Sequence, residues 1–171
     1  AMIKGAAMEL RIGDPRDPAV HIGPVIDAAA KANLDAHCET MRGKTRCHYE
    51  GKVPETGTFV APTMIELNAI TDLTREVFGP VLHIVRWKAS ELEALLDAID
   101  ALGYGLTLGV HSRIDTTIDR IVARLDTGNC YINRSMIGAV VGTQPFGGSR
   151  LSGTGPKAGG PNYLARFTLE Q

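Results

Sequence analysis

The segment from residue 138 to residue 160 contains eight of the 19 glycines of the chain and two of its nine prolines. Glycine and proline are the two poorest helix formers, and proline cannot donate a hydrogen bond within a sheet, so the segment predicts neither a helix nor a central strand. It also carries apolar residues, including Val140, Val141 and Phe146, which a solvated linker would lack. We therefore predict an ordered loop whose backbone lies close to a ligand.

The part of the chain before this loop has the alternating pattern of an α/β fold. Strands are predicted at Val81–Trp87, Leu106–His111 and Asn129–Asn133, with helices at residues 90–102 and 115–126 between them. Crossover connections of helical length imply parallel neighbours, so we expect the three strands in one open, mostly parallel sheet with flanking helices. Such a sheet binds its ligands beyond the carboxyl ends of its strands. The glycine-rich loop follows the third strand and is therefore placed for binding.

Polar residues indicate where the helices begin. Asp27 is expected to cap a helix over Ala28–Met41, and Asp115 to cap the helix near residue 115. Ser90 and Glu93 have the spacing of a capping box for the helix between these two. Each cap would satisfy backbone N–H groups that the first helical turn leaves unpaired.

Three other segments have weaker patterns. Ile3–Leu10 has helical periodicity, and Phe59–Leu67 is typical of a strand that Pro62 would confine to the edge of a sheet. At the other end of the chain, Phe167–Gln171 has a β-like composition. The first helix has no preceding cap and the last segment is cut short, so we expect the chain to be a piece of a longer protein.

Composition argues against several function classes. The net charge is −1 with 22% charged residues, which gives no electrostatic reason to bind nucleic acid or an anionic membrane. No apolar run reaches the roughly 18 residues of a membrane-spanning helix. The three cysteines lack metal-ligand spacing and cannot all pair, which favours a reducing cytoplasm. The five histidines are scattered, so no metal site is predicted.

Two features that suggest reactivity have more ordinary interpretations. Gly153–Ala158 fits the G-x-G-x-x-A spacing of a dinucleotide-binding turn, but no strand precedes it and Pro156 would interrupt the helix that must follow. Cys130 lies within an apolar strand, where a small hydrophobic role is usual. Cys38 lies on a helix face and Cys47 on a short strand. A structural role is therefore predicted for all three cysteines.

Four short motifs occur in one order along the chain: Glu76-Val-Phe-Gly-Pro80, Tyr104-Gly-Leu106, Gly128-Asn-Cys-Tyr-Ile-Asn133 and Gln144-Pro-Phe-Gly-Gly148. Together they resemble the carboxyl-terminal part of the NAD(P)-dependent aldehyde dehydrogenase superfamily, and the match covers essentially the whole chain. Met136–Gly148 and Leu151–Pro161 resemble a narrower branch, the L-glutamate γ-semialdehyde (1-pyrroline-5-carboxylate) dehydrogenases. Within it, the form fused to proline dehydrogenase in bifunctional bacterial proline-catabolic enzymes is the most similar.

This resemblance implies a fold, a reaction and a set of partners. It implies part of an aldehyde dehydrogenase catalytic domain, an α/β fold, that uses NAD to oxidise L-glutamate γ-semialdehyde to L-glutamate in proline catabolism. FAD is implied only in a fused proline dehydrogenase domain. The implied partners are the small-molecule substrate, the upstream domains of the same polypeptide and further copies in a homo-oligomer, with no membrane or nucleic acid bound by this chain.

The resemblance also implies roles for five residues. Glu76 is expected to accept hydrogen bonds from the nicotinamide ribose, because a carboxylate offers one oxygen to each hydroxyl, and Phe78 to pack beside the nicotinamide. Gly138 and Ala139 are expected to offer backbone N–H groups to the α-carboxylate of the substrate, since small residues allow close backbone approach. Phe146 is expected to form a wall beside the aldehyde chain.

The central chemistry of the family is expected to lie outside this chain. In the family, the nucleophilic cysteine, the general-base glutamate, the oxyanion asparagine and the nucleotide-binding domain all come earlier in the polypeptide. No catalytic residue is therefore expected in residues 1–171, and the isolated chain is expected to be inactive. Two alternatives remain open: a non-catalytic dehydrogenase-like module for assembly or binding, and a dehydrogenase for another semialdehyde.

Overall fold

The computed structural model describes residues 1–169 and divides the chain into two compact units, Ala1–Trp87 and Lys88–Gln171. The elements of the first unit are α1 (Met2–Met8), α2 (Ala28–Arg42), β1 (Arg46–Glu50), β2 (Thr63–Leu67) and β3 (Val81–Val85). Those of the second unit are α3 (Leu92–Ala101), β4 (Tyr104–Gly105), β5 (Thr107–Val110), α4 (Asp115–Arg124), β6 (Asn129–Ile132) and β7 (Ser149–Arg150). No helix within residues 1–169 is long and apolar enough to cross a membrane.

The C-terminal segment Phe167–Gln171, predicted to be β-like, is only partly described. Phe167 ends a short 3₁₀ helix, Leu164–Phe167, and no strand is assigned to Thr168 or Leu169. The last two residues of the prediction, 170 and 171, lie outside the described residues.

The first unit is a three-stranded sheet with α2 packed on it. β2 is the central strand, antiparallel to β1 and parallel to β3. Cys38 and Met41 of α2 form the core with Ile65 and Leu67 of β2. The predicted cap of α2 is confirmed, because an Asp27 side-chain oxygen accepts from the Ala30 N–H at 2.7 Å.

The prediction that the Phe59–Leu67 strand lies at a sheet edge is wrong. Pro62 comes just before the first residue of β2. It therefore lies outside the paired residues, and its missing N–H costs the sheet no hydrogen bond. Its carbonyl oxygen accepts from the Gly51 N–H at 2.9 Å. A proline at this position therefore leaves β2 free to pair on both sides.

The prediction of one sheet containing all three parallel strands is also wrong. β3 pairs with β2, whereas β5 and β6 pair with each other in a separate parallel sheet. Val81 and Val85 of β3 pack on the core of the first unit, so the burial of their side chains selects β2 as the neighbour. The α/β fold class, with parallel pairs and flanking helices, is confirmed.

The second unit buries an apolar stripe of α3 against the end of α4. Leu92 and Leu96 of α3 meet Leu125, which follows α4 directly. Leu108 of β5 packs on the same cluster. Leu92 and Leu96 are four residues apart, as the helical periodicity of the sequence predicts for one buried face.

The two other predicted caps are wrong. Ser90 lies inside a 3₁₀ turn, Ala89–Glu91, and the Lys88 N–H instead donates to a Glu91 side-chain oxygen at 3.0 Å. Asp115 is the first residue of α4 rather than its cap. An acidic residue there still stabilises the helix, because the N-terminal end carries partial positive charge.

Two histidines connect α2 to β3. The Nε2 atoms of His37 and His83 lie 2.9 Å apart, and their rings meet edge to face. One imidazole must donate and the other accept, so at least one ring is neutral. Burial lowers the pKa of both histidines, and the charge of Arg75 lowers the pKa of His37 further.

This pair predicts that the first unit loses stability in mild acid. Both folded-state pKa values lie below the ordinary value of 6.5, so the pair stabilises the fold above that pH and loses its contribution as the pH falls below it. Losing one hydrogen bond costs about 1 kcal/mol, which is roughly 4–8 °C in Tm for a domain of this size. Thermal unfolding followed by the fluorescence of Trp87, the single tryptophan, measures this change between pH 7.5 and 5.5.

The matched variant is His83→Gln, which keeps a polar side chain that does not titrate in this range. It should flatten the dependence of Tm on pH, whereas the same change at the exposed His111 in the second unit should not. An equal fall in Tm for the wild type and His83→Gln would contradict a role for the pair.

Candidate functional site

The glycine-rich loop follows β6 in the chain, and a buried side chain of β6 is hydrogen-bonded to the first residue of the loop. Tyr131 of β6 is 6% exposed, and its hydroxyl donates to the carbonyl oxygen of Gly138 at 3.1 Å. Gly138 has a φ of +66°, a conformation that residues with a side chain rarely adopt, and no atom outside its two chain neighbours lies within 4 Å of the position that a Cβ would take. The first part of the loop is thus both fixed at one carbonyl and open around its backbone.

Two neighbouring backbone donors in this part of the loop are unused. Within residues 1–169, the N–H groups of Gly138 and Ala139 have no hydrogen-bond partner. On either side, the Ile137 N–H donates to the Ser135 hydroxyl at 3.3 Å and the Val140 N–H to a Gln144 side-chain oxygen at 2.9 Å. Consecutive N–H groups beside a residue in the left-handed conformation form a concavity that suits an anion.

The second part of the loop is held by hydrogen bonds of its own backbone and of two side chains. Phe146 and Ala158 exchange two hydrogen bonds, of 3.0 and 2.9 Å, and so close the segment between them. Within that segment, β7 pairs antiparallel with β4. The Asn129 side chain donates to the Pro145 carbonyl at 2.9 Å, and the Lys157 ammonium donates to the Gly128 carbonyl.

Several glycines in this region are required by close contact between backbones. A Cβ added at Gly128 would overlap the Gly147 carbonyl, and one added at Gly148 would overlap the carbonyl of Ser152. Gly153 meets the backbone of Gly148 in the same way. These glycines therefore serve packing of the chain on itself. The prediction that glycines allow close approach of a ligand stays a prediction for the part near Gly138, where an added Cβ would meet no atom outside the neighbouring residues.

The second unit also has a cavity of about 560 Å³ beside the loop, lined by all four residues of β6 and by Arg134 and Lys157. The Arg134 guanidinium lies over the Tyr131 ring, 5.3 Å from its centre. Gly138, Ala139 and Phe146 are not among the residues that line this cavity. Gly138 and Ala139 are consecutive in the chain, and Phe146 is half-buried at the bridge to Ala158.

The predicted cofactor residues lie in the first unit. Glu76 and Phe78 line a cavity of about 210 Å³ together with Ala30, Asn33 and Leu34 of α2. Glu76 is exposed, and Phe78 is 87% exposed. An exposed carboxylate and an exposed aromatic ring at one cavity are groups that fit a diol and a planar heterocycle, as the nicotinamide riboside of NAD requires.

Two of the three cysteines, Cys38 and Cys130, do not have the surroundings of an activated nucleophile. Cys38 is buried in the core of the first unit, as predicted, whereas Cys47 and Cys130 are exposed, so the small hydrophobic role predicted for Cys130 is wrong. Desolvation raises the pKa of the Cys38 and Cys130 thiols. Both are therefore largely protonated at neutral pH, and a thiol is a poor nucleophile. Residues 1–169 also contain no cluster of three His, Cys, Asp or Glu side chains that could hold a metal ion.

Sequence reasoning missed two residues that shape the loop, Tyr131 and Gln144. Both lie in motifs that we singled out, but neither was assigned a role. For Tyr131 the available signal was an aromatic residue with a polar tip in the strand that leads into the loop, since a buried tyrosine hydroxyl usually has a partner. Gln144 gave no comparable signal.

This chain belongs to the aldehyde dehydrogenase family, because the sequence pattern of that family matches residues 1–171. It is 53% identical over 174 residues to the bifunctional protein PutA of Escherichia coli (strain K12). This alignment covers 97% of this chain and 13% of that protein. It is 37% identical over 160 residues to the 1-pyrroline-5-carboxylate dehydrogenase of Geobacillus sp. (strain WCH70), covering 91% of this chain and 30% of that protein.

A solved structure supports the same relationship. A crystal structure of a mutant of Bradyrhizobium japonicum proline utilization A (PutA) superposes with a TM-score of 0.94 at 61% identity, covering 99% of this chain and 17% of that one. The resemblance read from the four motifs is confirmed. The chain spans less than a third of the length of each of these three relatives.

Proposed function

We propose that this chain is part of the catalytic domain of an NAD-dependent dehydrogenase that oxidises L-glutamate γ-semialdehyde to L-glutamate in proline catabolism. The family membership and the names of the relatives support this reaction class. The single observation in the molecule that carries the proposal is the pair of unused N–H groups at Gly138 and Ala139. A semialdehyde of glutamate differs from a simple aldehyde by its α-carboxylate and α-amino group, and the carboxylate needs donors of this kind.

Recognition of the carboxylate by backbone groups has a clear physical basis. Hydrogen bonds to an ionised acceptor are stronger than those between neutral groups, at about 1.5–3 kcal/mol each. Gly138 has no side chain, and Ala139 has only a methyl group, so both leave the backbone accessible. Phe146, half-buried at the bridge to Ala158, is proposed to form the wall beside the aliphatic chain of the substrate.

The chain is proposed to contribute recognition surfaces and no reaction centre. The nucleophilic cysteine, the general base and the nucleotide-binding domain are proposed to belong to other parts of a longer polypeptide, so the 171-residue chain alone should not oxidise an aldehyde. When bound, NAD would accept the hydride from the aldehyde carbon. Glu76 and Phe78 are proposed to hold its ribose and nicotinamide. A fused, FAD-dependent proline dehydrogenase domain, homo-oligomers and a cytoplasmic location complete the proposal.

The proposed substrate is tested by Ala139→Asp in the longer enzyme. A carboxylate at this position would repel the carboxylate of the substrate, and like charges in a desolvated site cost several kcal/mol. We expect kcat/KM for L-glutamate γ-semialdehyde to fall about 100-fold or more, while oxidation of propanal, which lacks a carboxylate, changes little. The measurement is steady-state formation of NADH with each aldehyde.

The control is Ala139→Asn, which has nearly the size of aspartate without its charge. It should retain much more activity on the semialdehyde than Ala139→Asp does. If Ala139→Asp lowers activity on both aldehydes equally, the carboxylate is recognised elsewhere and the proposed anchor is wrong.

The proposed cofactor role is tested by Glu76→Gln in the longer enzyme. The amide keeps one acceptor oxygen and replaces the other with a donor, so one ribose hydroxyl loses its partner. A lost bond to a charged acceptor costs about 1.5–3 kcal/mol, so the KM for NAD should rise about tenfold or more, or kcat should fall by a similar factor. The KM for the aldehyde should change little.

The control for lost charge is Glu55→Gln, at another exposed glutamate of the first unit. Unchanged kinetics with NAD in Glu76→Gln would refute the proposed role of Glu76.

A further inference from the structure

The orientation of the Ala139 N–H is set by a neighbouring hydrogen bond. In a trans peptide group the carbonyl and the N–H point in opposite directions, and the Gly138 carbonyl shares a peptide group with the Ala139 N–H. The Tyr131 hydroxyl donates to that carbonyl at 3.1 Å and so directs it toward β6. The Ala139 N–H must then point away from β6, where no group within residues 1–169 accepts from it.

Tyr131 is itself firmly held. Its side chain is 6% exposed, and β6 pairs along its whole length with β5, where Tyr131 lies opposite Gly109. The Arg134 guanidinium covers its ring. A buried hydroxyl on a paired strand is a rigid point of attachment for a flexible glycine.

The other side of the anchor is closed by Gln144. Its side-chain oxygen accepts from the Val140 N–H at 2.9 Å, while the backbone N–H groups of Thr143 and Gln144 donate to the Val140 carbonyl at 3.1 and 2.9 Å. The turn from Val140 to Gln144 is therefore closed in both directions. This arrangement takes up the N–H of Val140 and leaves those of Gly138 and Ala139 as the neighbouring unused donors.

We infer that Tyr131 and Gln144 are positioning residues that make the enzyme selective for aldehydes carrying an α-carboxylate. This inference rests on the proposed function and assigns its selectivity to two side chains that act through the backbone. Within residues 1–169 the tyrosine hydroxyl is the one group that donates to the Gly138 carbonyl, so without it no hydrogen bond fixes the orientation of that peptide group. The donors would then have to be ordered at each binding event, which weakens binding of the carboxylate without affecting the reaction at the aldehyde.

The test is Tyr131→Phe in the longer enzyme, which removes one oxygen atom and keeps the buried ring. We expect the KM for L-glutamate γ-semialdehyde to rise about tenfold, with kcat within about twofold and the KM for propanal unchanged. The dissociation constant of the product L-glutamate, measured by calorimetry, should also rise about tenfold. Tyr49→Phe removes a hydroxyl from β1 of the first unit and should change none of these values.

Gln144→Leu tests the same inference from the other side of the turn and should give the same split between the two aldehydes. If the wild type prefers the carboxylated aldehyde and both variants keep that preference, the positioning role is overturned while the proposed function stands. An equal loss on both aldehydes also overturns it, because that is the result of a general structural role. If the wild type itself does not distinguish the two aldehydes, the proposed function fails.

Discussion

Contact between backbone and backbone at a few glycines is the constraint on which the candidate site depends. At Gly128, Gly148 and Gly153 the chain passes so close to itself that a methyl group would overlap a carbonyl oxygen. This packing, with the bridge between Phe146 and Ala158, fixes the second part of the long loop. Because that part is fixed, the first part around Gly138 can remain open and still keep a defined position. An open backbone with unused donors is what a small anion requires.

The predictability of the fold differs between local and non-local features. Asp27 and the apolar stripe of α3 were predicted from spacing alone, because capping and helix periodicity involve residues within one or two turns. The partner of β3 was not predicted correctly. A helical crossover indicates a parallel neighbour but not which strand it is, and here the burial of Val81 and Val85 against the core of the first unit decides the pairing. Ser90 failed as a cap because a 3₁₀ turn already includes it.

The residues of the candidate site were also predicted only in part. The motifs pointed to Gly138 and Ala139 through resemblance to a family, and the two residues have the unused donors that this role needs. The glycine count could not separate glycines needed for packing from those near a ligand, because overlap with a distant carbonyl depends on the folded path of the chain. Tyr131 and Gln144 were missed for the same reason, since their hydrogen bonds exist only once β6 and the loop have folded together.

The backbone N–H groups of Gly138 and Ala139 are proposed to hold the carboxylate of the substrate. The most direct measurement is a crystal structure of the longer enzyme with L-glutamate, the proposed product, bound. We expect an α-carboxylate oxygen at about 3 Å from each of these two nitrogen atoms. A bound glutamate whose α-carboxylate is held by other groups, with both N–H groups left unused, would contradict it.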